Sequence, residues 1–469
     1  MIRVFEGEKM KKFLSIILTA AIMLTTACSD NNTSGGNIIS LTGEENIPTN
    51  CPNANFGGTP IMKTNNGYYY FSSGGSLMFY DEQSDQNIYL CNKPECLHDG
   101  NDFCVSTKGW YSRYTGMLYN DHIYMVNIEQ EEQKKTYKLL QADLFGSELS
   151  EICTFFSVVE NDMMVGGSHS IIHKDRMFVS VQLHKNPLSQ NTEFDEGLGM
   201  KIFMIDLKSG SYQEIQIDNS GENEGQYGYN AFLSADGDNI YYLTSSKKNT
   251  FKPSLQRYNI TTGETKIVYS FERAVAGFTV NDDKLYYTST CYKDSDSSYY
   301  LSKYKFSLYS VDLKTGEEKT FIEEKETEKA LSPLLNLGNH VDVTTDRNYL
   351  YVCTASATSW AAHLYPIEFY IYDFDGKKLA TFNGNGQFDW EDDKHEGYIF
   401  NVLDGVVYLR VFEEFLEFET YSCSVEDIIN GKEKWTRIFD YTVPTPPESE
   451  EDEENSVKDE GESVSETES

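Results

Sequence analysis

The hydrophobic pattern of this chain is one short motif written seven times. A turn-forming residue is followed by alternating β-formers that end on an aromatic: Asn66-Gly67-Tyr68-Tyr69, Asp121-His122-Ile123-Tyr124, Asp175-Arg176-Met177-Phe178 and Asp238-Asn239-Ile240-Tyr241. Asp283-Lys284-Leu285-Tyr286, Asn348-Tyr349-Leu350-Tyr351 and Asp404-Gly405-Val406-Val407-Tyr408 complete the series, and the last aromatic recurs at intervals of 55, 54, 63, 45, 65 and 57 residues. Each copy carries the signal of a β-hairpin. Between the copies lies a second hairpin pattern, clearest in Phe203 to Gly210, Tyr258 to Gly263, Leu308 to Gly316 and Tyr370 to Gly376. Leu77 to Leu90, Leu140 to Ile152 and Tyr421 to Ile438 are looser versions. Two hairpins per unit make four strands, the content of a propeller blade. Such a unit cannot bury both faces alone, so the units must stack. The predicted fold is all-β: a β-propeller of seven four-stranded blades, with six or eight blades, or a set of β-sandwiches, as the other ways to arrange these strands.

Two stretches extend this reading. Leu233-Ser234-Ala235-Asp236-Gly237-Asp238-Asn239-Ile240-Tyr241 resembles the repeat of TolB-type propellers, with Ala235 in the place of a proline. The aromatic strands followed by turns such as Asp312-Leu313-Lys314-Thr315-Gly316 resemble LDL-receptor-related-protein-like β-propeller domains, common in lipoproteins of Gram-positive anaerobes. The resemblance spans roughly residues 60–440. It implies a fold and a cell-envelope setting, and it brings no catalytic residue with it.

The N-terminus points the same way. Residues 10–28 read MKKFLSIILTAAIMLTTAC, with Lys11 and Lys12 ahead of an apolar run from Phe13 to Thr26. That run is shorter than the roughly 20 residues of a membrane span and reads as a signal peptide. Leu24-Thr25-Thr26-Ala27-Cys28 resembles a bacterial lipobox, except that the leucine stands four residues before the cysteine. Lipidation at Cys28 is the expectation, with Met10 the true start. The expected organisation is a signal peptide over 1–27, a lipidated linker over 28–58, the propeller over 59–443 and an acidic tail over 444–469. Such a protein would sit on the extracytoplasmic face of the cell membrane, anchored through Cys28.

Charge narrows the partners. The 469 residues carry a net charge of −35 with 14% aromatics, and no basic stripe that phosphates would require, so nucleic acid is excluded as a partner. Residues 1–27 hold four basic and two acidic residues, whereas 445–469 hold 11 acidic residues and one lysine. A leaderless chain therefore remains strongly acidic even without its tail. Cations, basic peptides and neutral glycans fit that balance better than anionic ligands.

One cluster is chemically suggestive. Cys91, Cys96, His98 and Cys104 form a C-x4-C-x-H-x5-C cassette, bent by Pro94 and Gly100. It resembles a C-x-K-P-x-C-x-H cassette of related anaerobe lipoproteins. Three thiols and an imidazole suit a closed, structural zinc site. Extracytoplasmic cysteines also oxidise, and with Cys28 set aside the eight remaining cysteines could form four disulfides. Disulfides stapling this loop are the favoured expectation, and no cofactor beyond a structural zinc is expected. The acid-rich loops at Asp294–Asp296 and Asp389–Asp393 lack EF-hand spacing, and the other histidines are scattered. Trp360 and Trp390 are candidate ligand-stacking residues. No G-x-S-x-G, Walker, G-x-G-x-x-G or H-E-x-x-H motif is present, so the expectation is that the chain is not an enzyme. Its expected role is to bind or scaffold a protein, peptide or envelope glycan. A hydrolase or lyase with carboxylates in the propeller channel, and a solute-capture or sensory partner of a membrane transporter, are the alternatives.

Overall fold

The structure is a computed structural model that describes residues 61–441, apart from 73–74, 94–95, 97, 99–103, 107–114, 132–133, 160–162, 186–199, 219–225, 247–248, 293–303, 327–339, 358–363, 383–397 and 413–416. The strands form seven consecutive antiparallel groups of four. Blade 1 runs from Met62 to Tyr89, blade 2 from Met117 to Val159, blade 3 from Met163 to Ile215 and blade 4 from Gln226 to Ser270. Blade 5 spans Gly277 to Glu326, blade 6 His340 to Phe382 and blade 7 Tyr398 to Tyr441. A single pairing, Leu364 with Tyr398, links blades 6 and 7. First strands of successive blades approach one another from blade 2 to blade 6, which places strand 1 of these blades innermost. The molecule is a seven-bladed β-propeller. Among the described residues no helix is long and apolar enough to cross a membrane.

The aromatic motif read from the sequence is the second strand of every blade: Gly67–Phe71, His122–Glu131, Arg176–Lys185, Asn239–Ser246, Lys284–Tyr292, Leu350–Ala357 and Val406–Phe412. Its run of consecutive apolar residues has a simple cause. Side chains alternate across a strand, and here both faces are covered by neighbouring blades. Tyr241 enters the core between blades 4 and 5, while Tyr242 enters the core between blades 3 and 4. Tyr286 and Tyr287 divide in the same way. The hydrophobic residues accordingly sort into seven clusters, one per pair of adjacent blades.

Among the described residues blades 7 and 1 share no strand, because every strand of each blade comes from its own segment. Side chains do the closing. Tyr68, Tyr70, Met78 and Tyr80 of blade 1 pack with Leu403, Tyr408, Phe418, Phe439 and Tyr441 of blade 7. The Tyr70 ring lies 4.7 Å from that of Phe439, and Tyr80 lies 5.0 Å from the same ring. The Tyr70 hydroxyl donates to Asn87 Oδ1 at 2.7 Å, and Asn87 Nδ2 donates across the seam to the Asp440 carbonyl at 2.6 Å. Arg410 is buried at the same junction, its guanidinium 4.2 Å from the Phe418 ring centre and donating to the Phe71 carbonyl. Burial pulls its pKa down to about 10, so it stays charged at neutral pH.

The tight turns carry the acids. Asn120-Asp121, Lys174-Asp175, Asp282-Asp283 and Asp404-Gly405 have positive φ at both positions, the type I′ geometry that matches strand twist. In five of the turns between strands 3 and 4, an aspartate side chain accepts from the backbone N–H groups that follow, and in blade 4 Asn259 does the same. Asp206 Oδ1 accepts from Ser209 N at 2.8 Å, and Asp312 Oδ1 accepts from Thr315 N at 2.9 Å. These bonds hold both carboxyls below the usual carboxylate range, with the Ser209 and Thr315 amides the largest causes. Asp81 is lowered chiefly by the Ser84 hydroxyl.

Two outcomes are expected. Tyr70→Ala, at the closing junction, should lower the unfolding free energy by about 3–5 kcal/mol, whereas Tyr212→Ala, half exposed on blade 3, should change it by less than about 0.5 kcal/mol; urea unfolding midpoints measure both. The turn aspartates have folded pKa values below their unfolded ones. Their contribution is therefore present above the ordinary aspartate pKa of about 3.9 and lost as pH falls through the lowered values. The urea midpoint should thus decline on acidification below about pH 4 through these groups, and Asp206→Asn should weaken that dependence.

Candidate metal centre

The cassette forms where blade 1 hands over to blade 2. The fourth strand of blade 1, Gln86–Tyr89, is followed by Leu90, whose N–H donates to the Leu77 carbonyl at 3.0 Å. After the cassette, the Ser106 hydroxyl donates to that same carbonyl at 2.8 Å. The chain therefore leaves and rejoins blade 1 at one point. Leu90 and Val105, on either side, are both buried in the core between blades 1 and 2. Asn92 N donates to Gly146 O at 3.1 Å and Asn92 Nδ2 to Ser147 Oγ at 3.2 Å, pinning the start of the cassette to an outer turn of blade 2.

This closure brings the four donors together. One ligand atom from each of Cys91, Cys96, His98 and Cys104 lies within 4.8 Å of all the others. His98 Nδ1 is 3.4 Å from Cys104 Sγ. Cys104 is fully buried, and the other three are partly exposed. His98 adopts φ 55°, a left-handed conformation that costs a non-glycine residue roughly 1–2 kcal/mol. Its ring stacks on Tyr89, with centroids 4.6 Å apart and planes 18° from parallel. Burial pushes the Cys91 thiol up, and the Cys96 and Cys104 thiols beside it add to the rise. The structure carries Cys91, Cys96 and Cys104 as thiols. A set of three sulfurs and one imidazole nitrogen matches a four-coordinate zinc site with no open position, which supports structure rather than catalysis.

The remaining sequence candidates are more dispersed. Cys28, Trp360, Trp390 and the acid-rich loops at 294–296 and 389–393 lie outside the described residues. Cys353 and Cys423 are buried in the core between blades 6 and 7, and Cys153 lies on blade 2. His173 joins two blades by donating from Nε2 to the Gly237 carbonyl at 2.7 Å. His122 Nδ1 pairs with the Asn120 carbonyl at 2.8 Å. Two contributors were not singled out from the sequence: Tyr89, the platform under His98, and Arg410 at the closing junction. The apolar spacing of strand 2 does flag Arg410, as a charge at a position where both faces should be covered.

Comparison with known proteins adds the fold context. No family model matches the chain, and no curated protein matches it. Among solved structures it is similar to an oligogalacturonate lyase in complex with manganese (14% identity, TM-score 0.39, covering 66% of this chain and 74% of that one). An oligogalacturonate lyase from Vibrio parahaemolyticus gives 14% identity and a TM-score of 0.41, over 66% of this chain and 76% of that one. A TolB structure from Agrobacterium tumefaciens gives 12% identity and a TM-score of 0.31, over 62% and 84%. At this distance the likenesses concern the fold alone and bring no substrate, metal or residue role to this chain. They correct one expectation. The solved structures similar to this chain include two lyases, so the inference from absent linear motifs to a non-enzyme is withdrawn, and no activity is assigned in its place. The physical reason is that a ring of blades can gather a site from distant segments, which leaves no linear motif.

Gly146 tests how tightly the cassette is held. Its φ is +66°, and a Cβ there would meet the Leu90 carbonyl carbon and oxygen at 2.6 Å and Cys91 N at 2.7 Å. Gly146→Ala should therefore destabilise the protein by more than about 1 kcal/mol. It should also raise the labelling rate of buried Cys104 by a maleimide under native conditions, read by peptide mass spectrometry.

Proposed function

We propose that this chain is a lipoprotein tethered through Cys28 to the extracytoplasmic face of the cell membrane, whose propeller binds a protein, peptide or envelope glycan presenting a cationic or neutral surface. The observation that supports this reading is the distribution of charge over the turns. Because successive strands run antiparallel, the 1–2 and 3–4 turns of every blade emerge on the same face. That face carries Asp121, Asp175, Asp236, Asp282, Asp346 and Asp404 on its inner turns. Asp81, Asp143, Asp206, Asp312 and Asp373 begin outer turns on the same side. The outer turns that lower their own aspartate pKa values keep that charge ionised across the physiological range. Lys174, Lys208, Lys314, Arg347 and Lys377 stand on the same turns and offset part of it, Lys174 pairing with Asp238 and Lys314 reaching Asp283 at 2.7 Å, but the aspartates outnumber them. A face of this kind is repelled by anionic lipid headgroups, and a covalent lipid supplies the attachment that charge does not.

Two measurements test the proposal. Metabolic labelling with an alkyne fatty acid should mark the native chain and leave Cys28→Ala unmarked; labelling that persists in the variant removes the anchor. Immobilised peptide arrays should show full-length protein retained on basic peptides, with retention falling as salt rises. Exposed ion pairs contribute about 0.2–1 kcal/mol each, so Asp121→Asn combined with Asp282→Asn should reduce that affinity several-fold. A preference for acidic over basic peptides would sink the charge argument.

A further inference from the structure

We infer that Cys91, Cys96, His98 and Cys104 bind one zinc ion, and that this ion clamps the outer edge of blade 1 next to the junction where the ring closes. The inference is independent of the lipid anchor and of any ligand on the acidic face.

The argument begins with geometry. Zn–S bonds of about 2.3 Å and Zn–N bonds of about 2.0–2.1 Å, arranged tetrahedrally, put sulfur and nitrogen roughly 3.5 Å apart. His98 Nδ1 and Cys104 Sγ are separated by 3.4 Å. All four donor atoms fall within 4.8 Å of one another, so small side-chain adjustments bring each to a common centre. A disulfide would use two sulfurs and give no role to the third thiol or to an imidazole held in a left-handed backbone conformation. A zinc ion employs all four. The Tyr89 ring stacked on His98 restrains the imidazole plane.

The clamp follows from what the ligands adjoin. Cys91 and Cys104 flank Leu90 and Val105, which fill the core between blades 1 and 2. Tyr89 packs against the core between blades 7 and 1. One ion at this point therefore holds blade 1 to both neighbours. Blade 1 is where such help matters, since its four strands span only 2, 5, 5 and 4 residues.

The test uses full-length protein purified anaerobically. Elemental analysis should find one zinc per chain, and a mercurial reagent should release it to a colorimetric chelator as three thiols react. Cys96→Ser and His98→Ala should lose the zinc, whereas Cys153→Ser should keep it. Should the ligand variants fail to fold, native protein stripped by a chelator and reloaded with cobalt(II) gives the answer. Tetrahedral d–d bands with sulfur-to-cobalt charge transfer support the site, and an octahedral spectrum overturns it. Zinc removal should also speed proteolytic cleavage between blades 1 and 2. Less than a tenth of an equivalent of zinc, iron in its place, a disulfide among these cysteines in the anaerobic protein, zinc retained by the folded ligand variants, or a cleavage rate unchanged by zinc removal would each overturn the inference.

Discussion

Everything in this molecule depends on the second strand of each blade having a neighbour on both faces. A strand with one wet face shows alternating polar and apolar residues; these strands do not, because their alternate side chains enter two different cores. Buried tyrosines remove a large apolar area from water and still carry a hydroxyl to the edge of the sheet. That explains why so many were chosen over phenylalanine: Tyr69 reaches the Leu144 carbonyl, Tyr351 reaches Asp346, and Tyr287 reaches Glu318. The same constraint makes blades interdependent. A blade removed from the ring would expose two aromatic faces, so stability belongs to the interfaces more than to the blades.

The closing junction is the severe case. Six of the interfaces join segments adjacent in the chain, while the seventh joins residues more than 300 positions apart. Among the described residues no strand crosses it, so side-chain packing and hydrogen bonds carry the resistance to opening. The aromatic density there is the compensation, and Arg410 belongs to it. A buried guanidinium is costly to desolvate, but a planar cation can lie against aromatic rings and donate to backbone carbonyls at once. Those are the partners that Phe418 and Phe71 provide.

The repeat was readable from sequence for a physical reason: each hairpin turn and the strand beside it are local, so their chemistry appears in consecutive residues. The seven aromatic strands and the hairpins between them correspond to strands 2, 3 and 4 of the blades. One local detail departs from the pattern. In blade 7 the segment from Tyr421 to Ile438 is not a plain hairpin, because a short helix, Val425–Ile429, fills the turn with Ser424 as its N-cap. The Ser424-x-x-Asp427 spacing is the signal for it. The cassette was visible as composition, but its convergence was not, because that depends on the Leu77 carbonyl receiving two groups 16 residues apart. Pairings of that kind are set by tertiary packing and leave no mark on sequence spacing.

The position of the donor cluster can itself be argued from entropy. Ordering a loop that begins and ends at one point costs little in closure, since the penalty grows only slowly with length. The cost lies in fixing the backbone of each residue within it. A cross-link placed inside such a loop therefore contributes little by shortening the unfolded chain. Its effect lies in holding Leu90 and Val105 in the adjoining core, and Tyr89 against the closing junction, where the short strands of blade 1 offer few backbone hydrogen bonds of their own. The four donors thus lie beside the blade whose described strands are the shortest in the ring, where a side-chain cross-link has the most backbone pairing to substitute for.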